Sequence, residues 1–121
     1  MNLWKQNFGK QGETLAVKLL LQKGYRLIEQ NFRCRFGEID IVALDGNTIC
    51  FVEVKSRTSD WMGTPFEAIS FFKQQKMIRA ALYYLKLKNK EDGDLRFDVV
   101  GILFHQDGSY EAEVIPDAFG A

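Results

Sequence analysis

Two acids and a lysine, Asp40, Glu53 and Lys55, stand in two mostly apolar stretches separated by a short polar turn. Carboxylates on an apolar surface are costly unless a cation, a hydrogen-bond network or water takes up their charge. Carboxylate oxygens are also the ligands that a hard divalent cation prefers. On an extended strand Lys55 faces the same way as Glu53, so its ammonium reaches whatever that carboxylate holds. The alternative is a water-facing sheet surface, where acids and lysines alternate with apolar residues at no cost.

The choice depends on the elements that carry the three residues. Gly37 to Leu44 and Thr48 to Lys55 both read as strands. Alternation puts Glu38, Asp40, Val42 and Leu44 on one face of the first, and Ile49, Phe51, Glu53 and Lys55 on one face of the second. Asp45-Gly46-Asn47 supplies the positive φ that a hairpin turn needs. A loop of two or four residues puts Asp40 on the face of Glu53 and Lys55, whereas a loop of three separates them.

Length and composition bound the answer. At 121 residues the chain is expected to form one domain with a core of two helices and a sheet, and 46% hydrophobic content with ten phenylalanines supports that. No apolar run approaches the roughly 20 residues of a membrane span, and no signal-peptide segment follows Met1-Asn2-Leu3-Trp4-Lys5. A soluble, cytoplasmic protein with no membrane partner is expected. Cys34 and Cys50 are too few for a disulfide framework, and with His105 they make no zinc spacing; Cys50 reads as packed core.

The net charge is zero, which by itself argues against a nucleic-acid partner, but its distribution is lopsided. Up to Lys90 there are fifteen Lys and Arg against eight Asp and Glu; from Glu91 onward Arg96 stands alone against eight acids. Four early acids, Glu13, Glu38, Asp40 and Glu53, are assigned to the candidate site. If a metal screens them, the surrounding field is positive, as a phosphate backbone requires. Alternatively the two segments mix on the folded surface and cancel.

In chain order, Gly9 to Lys23 is expected to be a helix stopped by Gly24, with Glu13 inside its apolar arc near Ala16, Val17 and Leu20. An inward carboxylate wants a partner; otherwise Glu13 is a first-turn acid that favours the helix dipole. Tyr25 to Arg33 reads as a strand with a polar exit through Asn31, Arg33 and Arg35, either a plain loop or arginines that position a phosphate backbone. After the hairpin, residues 56–65 read as a loop in which Trp61 and Met62 contact a partner or fold back as a lid. Phe66 to Lys88 is expected to be a second helix, with Lys73 inside its apolar stripe and Lys76 at the edge. Such a lysine either snorkels outward or points at something negative, here the carboxylates or a bound phosphate. Leu95 to Phe104 reads as a strand covered on both faces, with Arg96 and Asp98 as an ion pair or as support for the site. Tyr110 to Ile115 returns as an edge strand, and residues 116–121 read as a tail.

Asp40, a hairpin, then Glu53-Val54-Lys55 resembles the signature of the PD-(D/E)XK nucleases. Gly12-Glu13, Asn31-Phe32-Arg33, Gly37-Glu38-Ile39-Asp40, Phe51-Val52-Glu53-Val54-Lys55-Ser56-Arg57 and Arg96-Phe97-Asp98-Val99-Val100 extend the match over nearly the whole chain. As a set they resemble the YraN family of small bacterial proteins, whose nearest nuclease analogues are the archaeal Holliday junction resolvases. The resemblance implies an α/β, restriction-endonuclease-like fold: an αβββαβ core, its mixed sheet flanked by helices. It implies a metal-dependent DNA endonuclease, with branched structures among the candidate substrates, and favours a site role for Glu13 because the resolvases carry such a helix glutamate. Mg2+ or Mn2+ would be held by Asp40 and Glu53, with Lys55 orienting the attacking water or stabilising developing charge and Glu38 in support or as an alternative ligand. Arg33, Arg35, Arg57, Lys73 and Lys76 would meet the DNA backbone, and two symmetric incisions would call for a homodimer. Two rival expectations are a nucleic-acid-binding module without catalysis and a protein-interaction module using the acidic C-terminal segment.

Overall fold

The computed structural model describes residues 8–58 and 66–120, so the expectations for Trp61 and Met62 lie outside the described residues. Helix α1 (Phe8–Gln22) precedes strands β1 (Arg26–Cys34), β2 (Gly37–Asp45) and β3 (Thr48–Thr58). A short 3-10 turn (Phe66–Ala68), helix α2 (Phe71–Leu87) and strands β4 (Leu95–Phe104) and β5 (Tyr110–Phe119) follow. The five strands lie in sequence order in one mixed sheet: β3 and β4 run parallel, joined by the crossover through α2, and the other neighbours are antiparallel. This is the expected α/β architecture, an αβββαβ core with one added edge strand.

Each face of the sheet carries its own core because strand side chains alternate. On one face Val42, Phe51, Phe97 and Val99 pack against Met77, Ala80, Ala81 and Tyr84 of α2. On the other, Ile41, Ala43, Cys50, Val52, Val100 and Ile102 pack against Ala16 and Leu20 of α1. Burying both faces explains the unbroken apolar run of β4. Gly12 lets α1 approach the end of β3: a Cβ there would lie 2.0 Å from Ser56 Oγ. No helix among the described residues is long and apolar enough to cross a membrane.

Two boundaries, and the place of one acid in its helix, differ from readings the sequence offered. α2 begins at Phe71 rather than Phe66, because Ser70 caps it: its side chain accepts the Lys73 N–H at 3.1 Å. Glu13 is the sixth residue of α1, not a first-turn acid. Residues 116–119 are not a tail but the end of β5, where Phe119 pairs with Phe97 and stacks on its ring at 5.0 Å between centroids. Pro116, which lacks an N–H, is tolerated there because β5 is an edge strand with an irregular register.

Candidate active site

The hairpin turn sets which residues of β2 and β3 lie opposite one another. Asp45 pairs with Thr48, leaving the two-residue loop Gly46-Asn47, with positive φ at Gly46 alone among these two. That is the pattern of a type II′ turn, whose twist suits a tight hairpin. The loop is therefore even, and the register that pairs Ile41 with Val52 sets Asp40 opposite Glu53. Glu53 belongs to the face covered by α2, as Phe51 does, while the alternation of β2 breaks at Asp40, since Ile39 and Val42 pack on that face and Ile41 on the other. Regular β2–β3 pairing ends at Ile41 and Val52, and the Asp40 carboxylate, rather than a strand carbonyl, accepts the Val54 N–H at 2.8 Å.

Glu53 is 6% exposed. Its Oε1 lies 3.5 Å from Lys73 Nζ, while its buried Oε2 has no hydrogen-bond donor among the described residues. The group facing it is the Asp40 carboxyl, which can bond to it only if one of the two holds a proton. Burial, then the charge of Asp40, pushes Glu53 up to about 8 against the opposing pull of Lys73. Burial raises Asp40 as well, countered by the Val54 N–H. Without a cation the pair keeps a proton near neutral pH.

A folded-state pKa above the ordinary carboxylate value means that folding takes up a proton, so this group favours the fold at low pH and costs stability as pH rises through about 8. In metal-free buffer, Glu53→Gln is accordingly expected to gain stability over the unaltered protein by roughly 1–2 kcal/mol at pH 8 and little at pH 5. Urea unfolding at the two values measures it; an equal effect at both would contradict the assignment.

Lys55 is half-buried on the same face of β3 as Glu53 and makes no ion pair among the described residues. Glu13 is half-buried on α1; burial and the charge of Asp40 raise its pKa, and a hydrogen bond from the Asn31 side chain offsets part of that. Among the described residues no three Asp, Glu, His or Cys side chains form a ligand set, so Glu13 does not join Asp40 and Glu53 around one point. Asn31 lies level with Asp40, between the pairs Gln30–Ile41 and Phe32–Ile39, and takes a positive φ of 56°. Asparagine tolerates that conformation better than most residues, which is the sequence signal that could have singled it out.

Beside the carboxylates, Arg33, Cys34, Gly37, Glu38, Lys73, Lys76 and Met77 line a cleft of about 400 Å³ between the β1–β2 turn and α2. Arg33 Nε sits 3.2 Å from Glu38 Oε2, so Glu38 is engaged with the cleft wall. Of the five expected phosphate contacts, Arg33, Lys73 and Lys76 share this cleft. Arg35 instead lies over the Phe36 ring at 4.7 Å, and Arg57 lines a separate cavity of about 190 Å³ with Glu111 and Glu113.

Arg96 and Asp98 are not at the site. Asp98 pairs with Val52 and so lies on the α1 face, opposite that of Glu53. Arg96 Nε bonds Asp98 Oδ1 at 2.8 Å, and its Nη2 bonds Asp45 Oδ2 at 2.9 Å beside the hairpin turn, at the far end of β2 from Asp40. Of the two sequence alternatives, the structural ion pair describes this arrangement.

The model of the family described as "Uncharacterised protein family UPF0102" matches residues 12–102, the stretch from Glu13's neighbour through Lys73 to β4. A UPF0102 protein of Syntrophus aciditrophicus is 50% identical over 111 residues, 92% of this chain and 87% of that protein. One from Geobacter metallireducens is 48% identical over 119 residues, covering 98% and 97% of the two chains. Another, from Clostridium perfringens strain SM101, is 45% identical over 120 residues, 98% of each.

Proposed function

Since the chain belongs to the UPF0102 family, whose relatives carry no activity in their names, we propose from its own site that it is a metal-dependent endonuclease acting on DNA phosphodiesters. The supporting observation is the buried Glu53 oxygen that has no donor among the described residues, on a carboxylate that stands beside Asp40 and 3.5 Å from Lys73 of a cleft also lined by Arg33 and Lys76. A buried acceptor of this kind is a cost to the fold unless something positive completes it. Asp40 and Glu53 fit a hard dication such as Mg2+ or Mn2+, which commonly takes only one or two carboxylates and leaves its other positions to water and substrate phosphate. When bound it would supply charge neutralisation at phosphorus and a more acidic water.

The chain's own residues divide the remaining work. Arg33 and Lys76 in the cleft hold the phosphate backbone in register. Lys55, on the strand face of Glu53, presents its ammonium to the charge that develops on the phosphoryl oxygens. Asp40 is held for its role by the Val54 N–H.

The test is incubation of the protein with labelled duplex, single-stranded, flap and four-way-junction DNA in Mg2+, Mn2+ or EDTA. Cleavage of at least one substrate with either metal and none in EDTA is expected. Absence of cleavage throughout, with binding that persists in EDTA and falls with salt, would transfer the assignment to a non-catalytic nucleic-acid-binding module. One observation favours that second reading: the described residues offer two carboxylates to one point and not three.

A further inference from the structure

Lys73 is the third residue of α2, in a first turn held by the Ser70 cap. Its ammonium stands between a carboxylate and a cleft. It lies 3.5 Å from Glu53 Oε1, and it also lines the cleft shared with Arg33 and Lys76. The Lys73 side chain is 39% exposed and that of Glu53 8%, so the lysine bridges solvent and a buried carboxylate whose other oxygen has no donor among the described residues. A lysine ammonium is a point charge on a flexible four-carbon stem, free to change partner without moving the helix.

We propose that Lys73 is a coupling residue: it is the resident counter-ion of Glu53 while the cleft is empty, and it competes with a divalent cation for that carboxylate. An ammonium and a dication repel one another across a shared carboxylate in a poorly solvated site. Entry of the metal therefore drives Lys73 into the cleft, where a substrate phosphate receives it. By linkage the phosphate must then strengthen metal binding by the same factor that the metal strengthens phosphate binding. The protein thus takes up metal and nucleic acid together, and keeps neither strongly alone. This inference rests on the metal-binding part of the reading above and not on catalysis.

The experiment is a Mn2+ titration, followed by the electron paramagnetic resonance of the free ion. It is run at pH 8.5 to limit competition from protons, with and without a short duplex oligonucleotide. Lys73→Met, which keeps the stem and removes the charge, is expected to bind Mn2+ about 10-fold more tightly than the unaltered protein when DNA is absent. Adding the oligonucleotide is expected to tighten Mn2+ binding by the unaltered protein by a larger factor than by Lys73→Met, in which only direct ligation of the metal by phosphate remains. Lys73→Arg should retain the coupling. A gain in affinity cannot arise from misfolding. Equal or weaker Mn2+ binding by Lys73→Met overturns the proposal, as does failure of all forms to bind Mn2+ at millimolar concentration. A gain accompanied by no cleavage of any DNA upholds the coupling and removes only the endonuclease assignment.

Discussion

Lys55→Ala is expected to slow metal-dependent DNA cleavage about 100- to 1,000-fold under single-turnover conditions, with little change in the affinity for the same DNA. The split between rate and affinity follows from where the positive charges sit. Arg33 and Lys76 line the cleft, and in the proposed reading they would act on the backbone in the ground state as well as in the transition state, which is uniform binding. Lys55 shares a strand face with Glu53 and stands outside that cleft lining, next to the carboxylates rather than along the path of the DNA. Its charge matters most when negative charge builds on the phosphoryl group. Asp40→Asn is expected to lose at least as much, because it removes the charge of a metal ligand while its amide oxygen can still accept the Val54 N–H and keep the strand ends in place. Rates from quenched single-turnover reactions and affinities from anisotropy in Ca2+ check the pair of expectations. An equal loss of affinity and rate in Lys55→Ala would make Lys55 an ordinary backbone contact.

The second large effect concerns stability. Asp98→Ala is expected to cost about 3–5 kcal/mol, because it removes a buried carboxylate that Arg96, the Tyr25 hydroxyl and the Asp117 N–H all bond, and leaves Arg96 with Asp45 alone. Asp98 is fully buried. It accepts from Arg96 Nε at 2.8 Å, Arg96 Nη2 at 2.9 Å, the Tyr25 hydroxyl at 2.8 Å and the Asp117 N–H at 2.9 Å. Burial alone would raise its pKa, but Arg96, the Asp117 N–H and the Tyr25 hydroxyl outweigh it and hold the carboxyl below the ordinary 3.8. A depressed folded-state value favours the fold above the unfolded pKa, and the benefit disappears as pH falls through the folded one. The stability gap between the unaltered protein and Asp98→Asn should therefore be widest near neutrality and shrink below pH 3.8. Urea unfolding across that range measures it, and a gap independent of pH would show that the charge of Asp98 contributes nothing. The network joins the segment after α1, the end of β2, β4 and β5, so its loss should lower activity only as far as the protein unfolds.

These two residues also show what a local reading can and cannot reach. Asp98 and Glu53 look alike in the sequence, an acid within an apolar strand. Their fates differ because β3 and β4 run in parallel register with Val52 beside Asp98, which turns the two acids to opposite faces of the sheet. The misplaced start of α2 was a missed cap, legible in Ser70 once Phe66 to Ala68 is recognised as a separate turn. The end of β5 was not legible. Pro116 argues against a strand, and only the pairing of Phe119 with Phe97 overrides it.

By itself the sequence determined the element order and the two-sided burial of β4, and it reduced the relation of Asp40 to Glu53 to two registers, between which the observed two-residue loop chose. Those properties follow from short-range rules, a period of two along a strand and a turn chemistry that admits few loop lengths. Only the tertiary structure decided that Lys73, twenty residues beyond Glu53, reaches it, that one Glu53 oxygen has no donor among the described residues, and that Arg57 lines a different cavity from Arg33. Those outcomes depend on how far α2 slides and how it rotates on the sheet. That placement is set by the packing of Met77, Ala81 and Tyr84 against β2, β3 and β4, and no local pattern encodes it.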